Sequence, residues 1–161
     1  MTGQLFTRLR SAALAFAVLL APACLSAAEP FETDTLVIET ADGESHRFEV
    51  ELAVTAAQQG QGLMYRQSMD ENAGMLFVER RERRWRMWME NTYIPLDMLF
   101  IDSGGRILRI VERTVPLSRE IIASGQPAKA VLELNAGTAN RLDIQVGDIV
   151  RHEAFQNAKD E

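Results

Sequence analysis

The clearest periodicity in the chain runs from Arg47 to Val54. Phe48, Val50, Leu52 and Val54 alternate there with Arg47, Glu49 and Glu51, which predicts a strand with one wet face. Leu36-Val37-Ile38-Glu39-Thr40 reads as a strand before it, and Ala41-Asp42-Gly43-Glu44 supplies the turn of a hairpin. The period then changes. Thr55 with Gln58 three residues on is a capping box, and a helix from there extends to about Arg66, with Ala56, Gln59, Leu63 and Met64 near one face. Gly60 and Gly62 would each cost such a helix about 1 kcal/mol against Ala. They make sense only beside a close backbone neighbour or where the helix ends early.

From Gly74 onward short apolar runs dominate: Met75 to Val78, Trp85 to Met89, Met98 to Ile101, Ile107 to Val115, Ala130 to Leu134 and Ile149 to His152. Turn residues separate them at Asp102-Ser103-Gly104-Gly105, Gly125-Gln126-Pro127, Asn135-Ala136-Gly137 and Gly147-Asp148. Many short strands with regular punctuation predict a mostly β fold, a small antiparallel barrel or sandwich with one packed helix, in preference to a parallel βαβ sheet. Leu117 to Ser124 is a candidate second short helix. Residues 29–34 form a polar leader, 35–155 a single domain, and 156–161 a polar tail expected to fray. There is no internal repeat or linker.

The first 28 residues change the setting. Arg8 and Arg10 precede the unbroken apolar segment Ala12 to Leu20, and Ser26-Ala27-Ala28 follows with small residues, the pattern of a secretory signal peptide cleaved before Glu29. The apolar run is shorter than the roughly 20 residues of a spanning helix. Cys24 lies upstream of that cleavage point, so the mature chain has no thiol. Its alternative fate is lipidation at its own cleavage site, a reading that the preceding Ala21-Pro22-Ala23 fits poorly. The expected location is periplasmic or secreted.

Losing the two leader arginines takes the net charge from −6 to −8. That disfavours nucleic acid and anionic membranes as general partners. About 130 residues suffice for one domain with its own core, without staples. Nothing in the composition calls for a cofactor or an oligomer, and the chain reads as a monomer.

Four motifs occur in order: Gly62-Leu63-Met64-Tyr65-Arg66, Gly74-Met75-Leu76-Phe77, the segment Trp88 to Asp97 (WMENTYIPLD), and Val131-Leu132-Glu133-Leu134-Asn135-Ala136-Gly137. Together they resemble domain-of-unknown-function family 192, small prokaryotic proteins that are often exported, over roughly Thr35 to Arg151. The resemblance implies a β barrel or sandwich with a helix packed on it, and no established activity.

The candidate chemistry is concentrated between Trp85 and Asp102. Asn91 and Thr92 suit a turn, and Asp97 precedes the apolar run Met98 to Ile101. These short polar side chains either satisfy backbone groups at a tight crossing or contact a ligand. Arg66 either pairs with Asp97, Glu112 or Glu133, or clamps an anion through its guanidinium. Met87 and Met89 either fill the core or offer thioethers to Cu(I). Arg80, Arg81, Arg83, Arg84 and Arg86 form either a solvated hairpin end or a docking patch. His46 and His152 are isolated. No nucleophile elbow, phosphate loop or metalloprotease motif is present.

The reading that follows is an exported, non-catalytic binding or accessory module for a small molecule or an envelope protein. Its expected site is formed by Arg66, Trp88, Asn91, Thr92 and Asp97, with Glu133 nearby. A methionine-based periplasmic Cu(I) carrier and an envelope glycan hydrolase using a carboxylate pair such as Asp97 with Glu133 are the alternatives.

Overall fold

The computed structural model describes residues 30–155 and Asn157. The expected signal peptide, Cys24 and most of the expected tail therefore lie outside the described residues. The chain forms β1 (Glu32–Glu39), β2 (Ser45–Ala53), α1 (Ala56–Gln61), β3 (Ala73–Arg83), β4 (Arg86–Met87), β5 (Leu96–Ile101), β6 (Ile107–Val111), β7 (Ile122–Ala123), β8 (Ala128–Asn135), α2 (Thr138–Arg141), β9 (Ile149–Arg151) and a 3-10 helix (Glu153–Phe155). Seven strands make one strongly curled sheet in the order β6-β5-β8-β3-β2-β1-β9, a half-barrel, and β4 pairs with β7 as a separate ribbon. The fold is mostly β, as the spacing predicts.

The two edges of the curled sheet meet at one end. Arg106 bridges Ile149, Ile107 N donates to Asp148 O at 2.9 Å, and Val150 N donates to Gly105 O at 2.7 Å. Gly105 has φ +83, and a Cβ there would lie 2.3 Å from Val150 O. Only glycine allows this approach.

Alternation along the strands sorts the apolar residues into two layers. One holds Leu36, Ile38, Phe48, Val50, Leu76, Leu99, Leu132 and Leu134, closed by Ala139, Ile144 and Phe155 from α2 and the C-terminal turn. The other holds Met75, Phe77, Met98, Phe100 and Val131, covered by Leu63, Trp85 and Met89. Every residue of β5 is buried, and β8 is buried at all but its second and last positions. These two strands are covered on both faces.

Several local expectations change. The hairpin forms, but β1 starts at Glu32, inside the expected leader, because Glu32, Thr33 and Asp34 pair with Leu52, Glu51 and Val50. The capping box at Thr55 and Gln58 is present, yet the helix stops at Gln61. β2 and β3 are parallel, with α1 in the crossover, so the sheet is not wholly antiparallel. Residues 117–124 form no helix; they turn and enter β7, whose Ile122 pairs with Met87. Arg80, Arg81 and Arg83 belong to the long strand β3. Asn157, in the segment expected to fray, donates to Gly104 O and Val150 O.

Asp97 fixes the connections on the inner layer. It is fully buried on β5, and its two oxygens accept from Arg113 N and Ala139 N, each at 2.9 Å. Gly137 at the N-cap of α2 supplies no side-chain acceptor, so Asp97 serves a helix start from a distant strand. Asp97→Ala leaves two N–H groups unmatched, that of Ala139 buried and that of Arg113 partly so, and should lower stability by about 2–4 kcal/mol. Asp97→Asn keeps one acceptor and turns an NH2 against the other N–H, so at least half of that loss should persist. Denaturant midpoints of both variants check this, and a wild-type midpoint for Asp97→Ala would contradict it.

Candidate binding site

The outer layer is not fully closed. On one side stands α1, tied to the sheet by Gln59, whose Nε2 donates to Ala53 O and Val78 O. Gly62 ends the helix at φ 48, ψ −139, where a Cβ would press within 3.3 Å of the Phe77 ring. On the other side, the chain leaving β3 sinks Trp85 into the layer. The indole Nε1 donates to Ala128 O at 3.0 Å, and Arg83 stacks over the ring at 3.9 Å. The β4–β7 ribbon then carries Met87 and Trp88 along the opposite wall. Between these walls lies a cleft of about 360 Å³, floored by Phe77 and Glu133. That volume suits a small molecule.

Glu133 is the unusual residue of the cleft. In β8 its register partners are Met75 of β3 and Met98 of β5, so a carboxyl stands between two thioethers on the outer face. It is 4% exposed, and among the described residues no hydrogen bond or ion pair reaches its side chain. Desolvation pushes its pKa from 4.5 up to about 8. At neutral pH it is mostly a neutral acid, able to donate one hydrogen bond, or to ionise when a cation arrives.

The structure brings together only some of the expected site residues. Trp88, Thr92 and Glu133 line the cleft. Arg66, Asn91 and Asp97 do not. Arg66 holds neither Asp97, Glu112 nor Glu133; it makes two bonds to Glu51 on β2, at 2.6 and 2.5 Å. Asn91, at φ 55, accepts from Tyr65 N through its backbone and faces Met64 Sδ with its amide. Thr92 is buried, and its carbonyl accepts from Leu117 N. Asp97 pairs in register with Leu134, one residue beyond Glu133, and so faces the inner layer. The two carboxyls lie on opposite faces of the sheet and cannot flank one bond. Met87 lines the cleft, whereas Met89 is buried in the core. His152 Nε2 pairs with Asp34 Oδ2 at 3.0 Å, far in the sheet order from β8.

A family model for an uncharacterized ACR, domain-of-unknown-function family 192, matches residues 37–152. The chain belongs to this family. A protein of Sinorhizobium meliloti 1021, provisionally named a transcription regulator, is 48% identical with a TM-score of 0.76, over 77% of this chain and 96% of its own. A protein of unknown function from Novosphingobium aromaticivorans DSM 12444 is 35% identical with a TM-score of 0.73, over 78% of this chain and 91% of its own. No curated protein matches.

Part of each family 192 motif reaches the cleft. Gly62, Leu63, Met64, Trp88 and Thr92 line its walls and Phe77 and Glu133 its floor, while Arg66, Asn91 and Asp97 lie elsewhere, Asp97 holding the inner layer. Sequence reasoning missed Gln59, Gln61, Arg83, Arg86 and Trp85 as lining residues. It also set Glu133 at the margin. The signal for Glu133 was there: an acid within Val131-Leu132-Glu133-Leu134, with apolar residues immediately on both sides.

The raised Glu133 pKa has a definite sign in stability. The folded state favours the protonated acid, so this contribution is complete below pH 4.5 and is lost as pH rises towards 8. Glu133→Gln removes the ionisation while keeping the shape. The variant should match or fall slightly below wild type at pH 4–5, then exceed it by on the order of 3–5 kcal/mol at pH 9. Unfolding midpoints across pH read this directly, and a pH-independent difference would contradict it.

Proposed function

We propose that the protein is an exported, non-catalytic module that binds a small ligand in the cleft between α1 and β4. One observation carries the reading. Glu133 is only 4% exposed, has no hydrogen-bond or ion-pair partner among the described residues, and lines an open cavity whose walls mix aromatic, thioether and polar side chains. Buried polar groups are nearly always matched, so an unmatched one beside a cavity invites a partner from outside the chain. The signal-peptide pattern and the thiol-free mature sequence support export. Among the described residues no helix is long and apolar enough to cross a membrane. The name of the Sinorhizobium protein applies to that protein. In this chain a net charge of −6 opposes binding to a phosphate backbone.

Gly60 offers a control. It lines the cleft in a helical conformation, and a Cβ added there meets no atom within 4 Å. Gly60→Phe should therefore fill the cleft and leave the fold intact. In a thermal-shift screen of small polar and amphipathic molecules, a ligand at about 100 times its Kd adds ~2.7 kcal/mol, several degrees in Tm. Such shifts should occur in wild type and vanish in Gly60→Phe. Ligands equally active on both proteins, or none at all, would contradict the reading. Export has its own check. The intact mass of the periplasmic or secreted form should correspond to a chain starting at Glu29, and a diacylated species starting at Cys24 would overturn that start.

A further inference from the structure

We propose that the cleft takes a zwitterion, an organic ammonium tethered to a phosphate or carboxylate, with the ammonium against Glu133 and the anion at Arg86 and Arg83. This rests on the cleft being the binding site and adds the chemistry of its occupant. The charges of the cleft are graded with depth. Glu133 lies at the floor, while Arg83 and Arg86 are the only other charged residues lining it among the described residues, both exposed at the rim. Arg83 is committed, to Glu79 at 2.9 Å and to the Trp85 ring. The Arg86 guanidinium has no ion pair or hydrogen bond among the described residues. A simple anion would satisfy Arg86 and leave Glu133 unmatched. A simple cation would satisfy Glu133 but pass two guanidinium groups on the way. A zwitterion meets both ends.

The walls suit the inner half of such a ligand. Phe77 and Trp88 present aromatic surface, and Met64 and Met87 present thioethers. Aromatic faces attract alkylammonium groups, and thioethers adapt to their methyls. Gln59, Gln61 and Thr92 are neutral, and Met75 and Met98 flank Glu133 on the sheet, so no other ionisable group competes for the ammonium. The step is a proton exchange with no covalent change. The Glu133 carboxylic acid gives its proton to solvent as the carboxylate pairs with the ammonium.

The occupant could be free or a lipid headgroup. The loops that bring Met64, Trp88 and Thr92 to the cleft also carry Tyr65 and Tyr93, exposed and in edge contact at 6.2 Å, and the β6–β7 connection lays exposed Leu117 against them through its bond to Thr92. Tyrosine, tryptophan and leucine clustered this way suit a lipid–water interface.

The test is calorimetric titration at pH 7 with phosphocholine, phosphoethanolamine and glycine betaine, in two buffers of unequal ionisation heat. At least one should bind saturably and release up to about one proton per ligand, given the raised Glu133 pKa. Choline and inorganic phosphate alone should bind at least roughly tenfold more weakly. Glu133→Gln should lose the proton release and at least about tenfold in affinity, while Arg86→Ala weakens the zwitterion and leaves choline unchanged. Cosedimentation with phosphatidylcholine or phosphatidylethanolamine vesicles, lost in Glu133→Gln, assigns a lipid source; binding of the free zwitterion alone assigns a soluble one. Failure of all three zwitterions and of vesicles, or binding indifferent to Glu133→Gln, overturns the proposal. If screen ligands still depend on Gly60 in that case, the site stands and only the ligand class falls.

Discussion

A curled sheet whose central strands are buried on both faces needs an apolar layer on each side. β5 and β8 are in that position here, between β6 and β3 in the sheet order, and neither can turn an edge or a face to water. The inner layer closes through the curl of the sheet, the junction of β6 with β9, and the packing of α2 and Phe155. As a second sheet the outer layer meets only the two-stranded β4–β7 ribbon, not one wide enough to cover it. It is covered by one short helix and by the Trp85–Met89 segment, each pinned at a few points. A cover assembled from two separate pieces leaves a seam, and the cleft is that seam.

The two acids on the central strands respond to this burial in opposite ways. Asp97 points into the closed layer and is matched by two backbone N–H groups, so its two oxygens hold the start of α2 and the loop after β6. Glu133, one register step away on the outer face, receives nothing from the chain and stays mostly protonated near neutrality. The first arrangement is stabilising in itself. The second costs stability whenever the acid ionises. A domain with a margin of only about 5–15 kcal/mol carries such a residue at a real penalty.

Much of the architecture was legible because it follows from local rules. Alternation from Phe48 to Leu52 gave β2, the Asp42-Gly43 turn gave the hairpin, and Thr55 with Gln58 gave the start of α1. What escaped depended on tertiary geometry. The end of α1 at Gln61 is set by Gly62 against Phe77, a contact across the layer. The extended course through Ile122 is set by pairing with Met87, which outweighs the local helical pattern of residues 117–124. Arg66 found Glu51, a partner on the parallel strand that no sequence spacing indicates. The site was half legible for the same reason. Trp88 and Thr92 stood out as unusual residues, but which face Asp97 and Glu133 occupy is decided by register alone.

The electrostatic state of one side chain, Glu133 in the unliganded protein, decides what the cleft can bind. Carbon-13 NMR of the Glu133 side-chain carboxyl, titrated from pH 3 to pH 10, measures it directly. The structure predicts a midpoint near 8, well above every ordinary glutamate. A midpoint near the ordinary glutamate value of 4.5 would mean that Glu133 is solvated or paired, and would remove the basis for the cleft as a binding site.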